Sequence, residues 1–289
     1  MRNDASKLEL CGGNLVLTDI GILPVSMVSK ENALLSIRGE RIPVISNTSL
    51  AAKSGRKGVS TVSFDKGAFD QECPRQSVAI PAQQTVKFAG ALVTAAQVVN
   101  GATVTNDRMD AVNVYTLELA IPGEIEVSGL TVVAQHAGID SAPAVAVQNV
   151  RQHFLRYALQ NGWQYTEDPS VQISVENSIV RSISNNNIFE IQKPHSVFQI
   201  HSRSAVVAEQ NPESDDQRRL GVLITAIHAD GKNVPIDSDY FRTGFHGLER
   251  SGKQLFRWSD GNSTLKLPFA VGNLRITVGC GLRILEKIS

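Results

Sequence analysis

Leu15-Val16-Leu17-Thr18-Asp19-Ile20-Gly21 is the stretch on which the fold turns. A strand-length apolar run meets a turn signal ending in glycine, and a further apolar run begins at once. The same alternation of short run and turn continues outward, with runs at residues 33–37, 42–45, 59–64, 77–80, 86–88, 98–99, 112–119 and 125–133. Asn100-Gly101 and Pro122-Gly123 punctuate it. Strand-length runs at this spacing predict an all-β fold rather than parallel βαβ units.

One helix is expected, over 149–159, where Val150, Phe154, Tyr157 and Ala158 recur at helical spacing and Asn161-Gly162 supplies a stop. It divides the chain. Strand-like runs resume at 171–175, 188–191, 197–200, 205–208 and 220–229, then at 263–267, 274–278 and 282–285, which suits a β-sandwich. Residues 209–219 are polar, carry Pro212 and Asp215-Asp216, and are expected to form an exposed loop, with Arg218-Arg219 on a solvated loop or at a strand start. The expected organisation is a β domain over 1–145, a linker helix over 146–165 and a C-terminal β module over 166–289.

The chain has 289 residues and no net charge, with 28 Lys and Arg against 28 Asp and Glu. It therefore lacks the global positive field that sequence-independent nucleic-acid binding or polybasic membrane attachment relies on. No run reaches the roughly 18 apolar residues of a membrane span, and the N-terminus lacks the basic-then-apolar layout of a signal peptide. The protein is expected in the cytoplasm, or exported without a cleavable signal peptide. Cys11, Cys73 and Cys280 are odd in number and far apart, so neither a disulfide framework nor a zinc site is expected. His195 and His201 with Asp215-Asp216 downstream lack a third fixed ligand, and no metal or cofactor is expected. No phosphate-cradling glycine loop, Gly-x-Ser-x-Gly elbow or paired-carboxylate motif occurs.

Cys11-Gly12-Gly13-Asn14 running into Leu15 to Gly21, then Pro24-Val25 and Arg41-Ile42-Pro43-Val44, resembles the opening of bacterial Hedgehog/intein (Hint) domains. Val99-Asn100-Gly101-Ala102-Thr103-Val104 and Tyr115-Thr116-Leu117-Glu118-Leu119 are similar to later strands of that family, so the resemblance spans about residues 8–135. It implies a compact, twisted β fold in which Cys11 attacks the preceding carbonyl and converts a peptide bond to a thioester. Such chemistry needs a thiolate-capable nucleophile, an activating histidine or hydroxyl, and oxyanion donors. The sequence departs from the family there. Gln84 stands where the central histidine is expected, Ile121-Pro122 where the second is, and Cys11 lies two residues closer to its turn than usual. His136 could replace a lost partner in space. The plainer reading makes Cys11 a small buried hydrophobe.

Further on, Gly244-Phe245-His246-Gly247-Leu248-Glu249 and Phe256-Arg257-Trp258-Ser259-Asp260-Gly261 resemble the tail of related Hint proteins and of β modules attached to bacterial glycosyltransferases. His246, Glu249, Arg257, Trp258 and Asp260 could form a polar-rimmed aromatic platform for a sugar ring. Alternatively Trp258 is a core anchor, Arg257 pairs with Glu249 behind it, and the segment after Trp258 is a hairpin turn. The expected function is that of a Hint-derived, non-catalytic binding or structural module, with a bacterial surface glycan or an exported protein as partner. The alternatives are an autoprocessing domain that cleaves its own backbone at Cys11, and a β-rich assembly or coat-like protein.

Overall fold

The computed structural model describes residues 5–50, 59–109, 113–134, 142–180, 182–184, 187–211, 214, 216–279 and 282–288. Among the described residues strands take 54% and helix 11%, which places the chain in the all-β class with a curled sheet. The chain divides into two compact units, Met1–Trp163 and Gln164–Ser289.

The first unit runs β1 (Ser6–Cys11), β2 (Leu15–Thr18), β3 (Gly21–Pro24), β4 (Ala33–Leu35), β5 (Arg41–Leu50), β6 (Val59–Phe64), β7 (Val78–Pro81), β8 (Thr85–Phe88), β9 (Ala91–Thr94), β10 (Val104–Met109), β11 (Val114–Leu119), β12 (Gly123–Val127) and β13 (Leu130–Ala134). These form sheets in the orders β1-β11-β5-β4-β2-β3, β12-β13-β8-β9 and β10-β6-β7. The deciding stretch folds by its period of two: Leu15 and Leu17 face out while Val16 and Thr18 are buried. Asp19 and Ile20 form its turn, Thr18 pairs with Gly21, and the Thr18 hydroxyl donates to the Gly21 carbonyl at 2.6 Å.

β1 precedes the region in which the sequence reading expects strands. Its Leu8 and Leu10 are fully buried while Lys7 is exposed, and all six residues pair with β11. The strand expected at 98–99 is instead the end of a one-turn 3-10 helix, Ala95–Val98. There the Thr94 N–H donates to Gln97 Oε1 at 2.8 Å, a local bond that competes with extended pairing.

The helix α1 (Ala144–Gln160) starts earlier than the apolar periodicity suggests, directly after Pro143, whose φ of −52° suits a helix entry. Val150, Phe154 and Ala158 are its buried stripe, and Val150 and Phe154 belong to the core of the first unit. Set apart as a linker from sequence, the helix thus contributes side chains to that core. Asn161 closes it through Nδ2 to the Tyr157 carbonyl, and Gly162 at φ +87° turns the chain away.

In the second unit two long antiparallel strands, Ile188–His201 and Asn262–Val278, lie side by side, and Leu223–Ala229, Gln172–Val175 and Gln254–Trp258 extend the sheet. Its own core holds Ile173, Phe189, Phe198, Ile200, Ile224, Ile227, Leu265 and Ile276. The expected loop over 209–219 is bounded by regular structure: Val207–Gln210 is a short helix, and Arg219–Leu220 pairs with Ala205–Val206, with Leu220 buried.

Candidate functional site

Cys11 ends β1 opposite Val114 and is 5% exposed. Its N–H donates to Asn14 Oδ1 at 2.8 Å, the Asn14 N–H returns a 2.8 Å bond to the Cys11 carbonyl, and Asn14 Nδ2 donates to the Ala79 carbonyl at 3.0 Å. One buried asparagine therefore ties the turn after Cys11 to β7. Burial pushes the Cys11 thiol up to about 11, so it stays protonated at neutral pH. Among the described residues no side chain hydrogen-bonds this thiol. His136 and Cys280 lie outside the described residues, and Ile121 is an exposed side chain.

Gln84 is 6% exposed, and its amide is fully engaged. Oε1 accepts the Glu9 N–H at 2.7 Å, while Nε2 donates to the Val133 carbonyl at 2.9 Å and the Thr85 carbonyl at 3.2 Å. It joins β1, β8 and β13. The backbone amide it holds is two residues ahead of Cys11, and an amide side chain cannot shuttle a proton near pH 7.

The second-unit residues separate into two groups. Glu249 pairs with Arg218 at 2.7 Å, not with Arg257, and Arg218 also holds Asp216 at 2.8 Å. The expected Arg257–Glu249 ion pair is therefore corrected. Arg218 is the residue the sequence reading set on a solvated loop; the legible hint was Asp216, two residues before it. Its guanidinium beside Asp216 holds that carboxyl below the usual range, and both carboxylates push the Arg218 pKa up. His246 Nε2 lies 2.8 Å from the Arg219 carbonyl, one residue beyond Arg218 and within electrostatic reach of Asp216. His246, Glu249, Arg218 and Asp216 thus gather at one place.

Arg257 and Asp260 serve the backbone. Arg257 donates from Nε to the Ile236 carbonyl at 2.8 Å and from Nη1 to the His246 carbonyl at 3.1 Å, and its guanidinium lies 5.3 Å over the Phe241 ring. Asp260 Oδ1 accepts the Asn262 N–H at 2.8 Å, and the half-buried Trp258 accepts the His246 N–H at its carbonyl. Between them Ser259 is fully buried, its Oγ accepting the Val222 N–H at 2.9 Å and the Gly261 N–H at 3.3 Å. A Cβ on Gly221 would meet Ser259 Oγ at 2.5 Å, and one on Gly244 would meet the Asn262 carbonyl oxygen at 2.4 Å. The segment is a packing knot whose centre, Ser259, the sequence reading treated as a turn residue.

His195 and His201 have different partners: Glu176 lies 3.9 Å from His195 Nδ1, and Ser174 Oγ is 2.8 Å from His201 Nε2. Asp215 lies outside the described residues. Among the described residues no group of three or more His, Cys, Asp or Glu is placed to hold a metal ion, and no helix is long and apolar enough to cross a membrane.

The sequence matches no protein-family model and no curated protein. Among solved structures the chain is similar to the MchDnaB-1 intein, at 16% identity and a TM-score of 0.33, over 44% of this chain and 99% of that one. It is similar also to the Msm DnaB1 intein splicing domain bound with zinc, at 14% identity and a TM-score of 0.30, over 43% and 98%.

Proposed function

We propose that the chain is a Hint-derived, non-catalytic structural or binding module in which self-processing at Cys11 is lost. Gln84 carries this reading. It stands where the Hint resemblance expects a proton-shuttling histidine, and both ends of its amide are committed to backbone groups. Burial of the Cys11 thiol points the same way, since the thiolate and not the thiol is the nucleophile. The test is iodoacetamide labelling of the folded chain at neutral pH, read cysteine by cysteine from peptide masses. Cys11 should remain unmodified until the chain unfolds; labelling as fast as that of a free thiol would contradict the proposal.

A bacterial surface glycan as the partner of the second unit has support of its own in the gathering of His246, Glu249, Arg218 and Asp216, with the His246 N–H donated to the Trp258 carbonyl. Charged groups beside an aromatic side chain are the means by which proteins hold sugar hydroxyls and ring faces. Retardation of the chain in a gel containing a bacterial surface polysaccharide, lost in Glu249→Gln, is the expected result. Equal mobility with and without the polysaccharide would leave the knot around Ser259 as a structural device alone.

A further inference from the structure

In the first unit, a cleft of about 640 Å³ opens between α1, the β8–β9 hairpin, β13 and the loop that carries Cys73. Ala146, Asn149, Val150 and His153 form its helical wall at the i, i+3, i+4, i+7 spacing of one helix face. Three phenylalanines cluster along it. Phe69 stacks on Phe154 at 5.1 Å with an interplanar angle of 15°, and Phe88 meets both edge-on, at 4.9 and 4.8 Å. Phe154 and Phe88 are buried but Phe69 is only half-buried, so the aromatic cluster is left open on the cleft side rather than closed over.

The polar groups around this floor sort by whether they are already used. Lys87 is paired with Glu124, and the Asp70 carboxylate accepts the Glu72 and Cys73 N–H groups at 2.8 Å each. His153 Nε2 lies 3.3 Å from the Phe69 carbonyl. The Thr131 hydroxyl from β13 and the Asn149 amide from α1 line the cleft with no hydrogen-bond partner among the described residues. Lys87 is thus ion-paired and Asp70 is turned to the backbone of its own loop, while two neutral hydrogen-bonding groups remain free. The volume lies within the roughly 300–1,000 Å³ of small-molecule sites and is far more than a trapped water needs.

We propose that this cleft binds a small, neutral, planar aromatic molecule that packs against Phe69 and Phe88 and offers a polar edge to Thr131 and Asn149. An anionic ligand would find Lys87 already paired with Glu124, and a saturated one would forgo the ring–ring geometry that the phenylalanines offer. None of the cleft residues hydrogen-bonds to Cys11 or to the turn that follows it.

Cys73 lines the cleft and supplies a native reporter. In the full chain, the rate of Cys73 alkylation by iodoacetamide is measured from peptide masses with 2-naphthol and with its saturated counterpart decahydro-2-naphthol. At a concentration about ten times its dissociation constant, 2-naphthol should slow the reaction roughly tenfold by occupancy alone. The saturated alcohol should protect much less. Ala146→Phe, which fills the cleft from the helix, should abolish the protection, and Thr131→Val should weaken 2-naphthol about three- to tenfold through one lost hydrogen bond. No slowing by 2-naphthol, equal protection by both alcohols, or protection that survives in Ala146→Phe would overturn the proposal.

Discussion

Cys11 shows how one residue type can carry either of two meanings until its surroundings are known. The sequence presents a cysteine before a strand and a turn, for which a small buried hydrophobe is the plainer reading; the fold buries it at 5% exposure, and burial is the cause of its raised pKa. The sign of the consequence is fixed. The unfolded chain releases the thiol proton near pH 9 and the folded chain only near 11, so folded Cys11 keeps its proton where unfolded Cys11 does not. Stability from this group is fully present below pH 9 and falls between pH 9 and about 11. Urea titrations across that window should show a steeper decline in the wild type than in Cys11→Ala. Gly221 belongs at the same scale. It needs no positive φ, yet a Cβ there would strike the Ser259 and Ser202 hydroxyls and the Gly261 amide within 2.5–2.7 Å. Gly221→Ala should cost about 1–3 kcal/mol of second-unit stability as overpacking, measured by chemical denaturation.

At the scale of elements, hairpins separate what could be read from what could not. Asp19-Ile20-Gly21 announced its turn through the glycine. Ala89-Gly90, Ser128-Gly129 and Glu176-Asn177 also turn with both central residues at positive φ, but Ala, Ser and Glu are not the residues such turns prefer, and the sheet around them imposes the conformation. Ala89→Asn should therefore raise stability by about 0.5–1 kcal/mol, since Asn tolerates the left-handed region at lower cost. α1 was legible in its apolar stripe and not in its role: periodicity reports that one face is covered without saying by what. Phe154 is 1% exposed and packs on Phe69 and Phe88, so Phe154→Ala should remove roughly 3–5 kcal/mol, seen as a lower urea midpoint for the first unit. Both side chains of the cleft that remain unpaired, Thr131 and Asn149, sit on different elements, a strand and a helix, whose periodicities do not connect them.

For the whole molecule, alternating apolar runs and a balanced charge were enough to give the all-β class, and two separate cores divide the chain within a few residues after α1. The site was harder to read because its meaning lies in partners brought from a distance: Gln84 meets Glu9 across 75 positions of sequence, and Arg218 meets Glu249 across 31. A glutamine at position 84 cannot shuttle protons near neutral pH, but only the fold shows the task of its amide, which joins three strands. Loss of self-processing, as proposed, means that this unit keeps a β scaffold and performs no thioester chemistry. Intact mass is the direct measurement, on the full chain incubated with and without hydroxylamine beside Cys11→Ala. A thioester formed by Cys11 on the Leu10 carbonyl would be cut by hydroxylamine, releasing the first ten residues. The account predicts one unchanged mass in every sample; loss of residues 1–10 from the wild type and not from Cys11→Ala would contradict it.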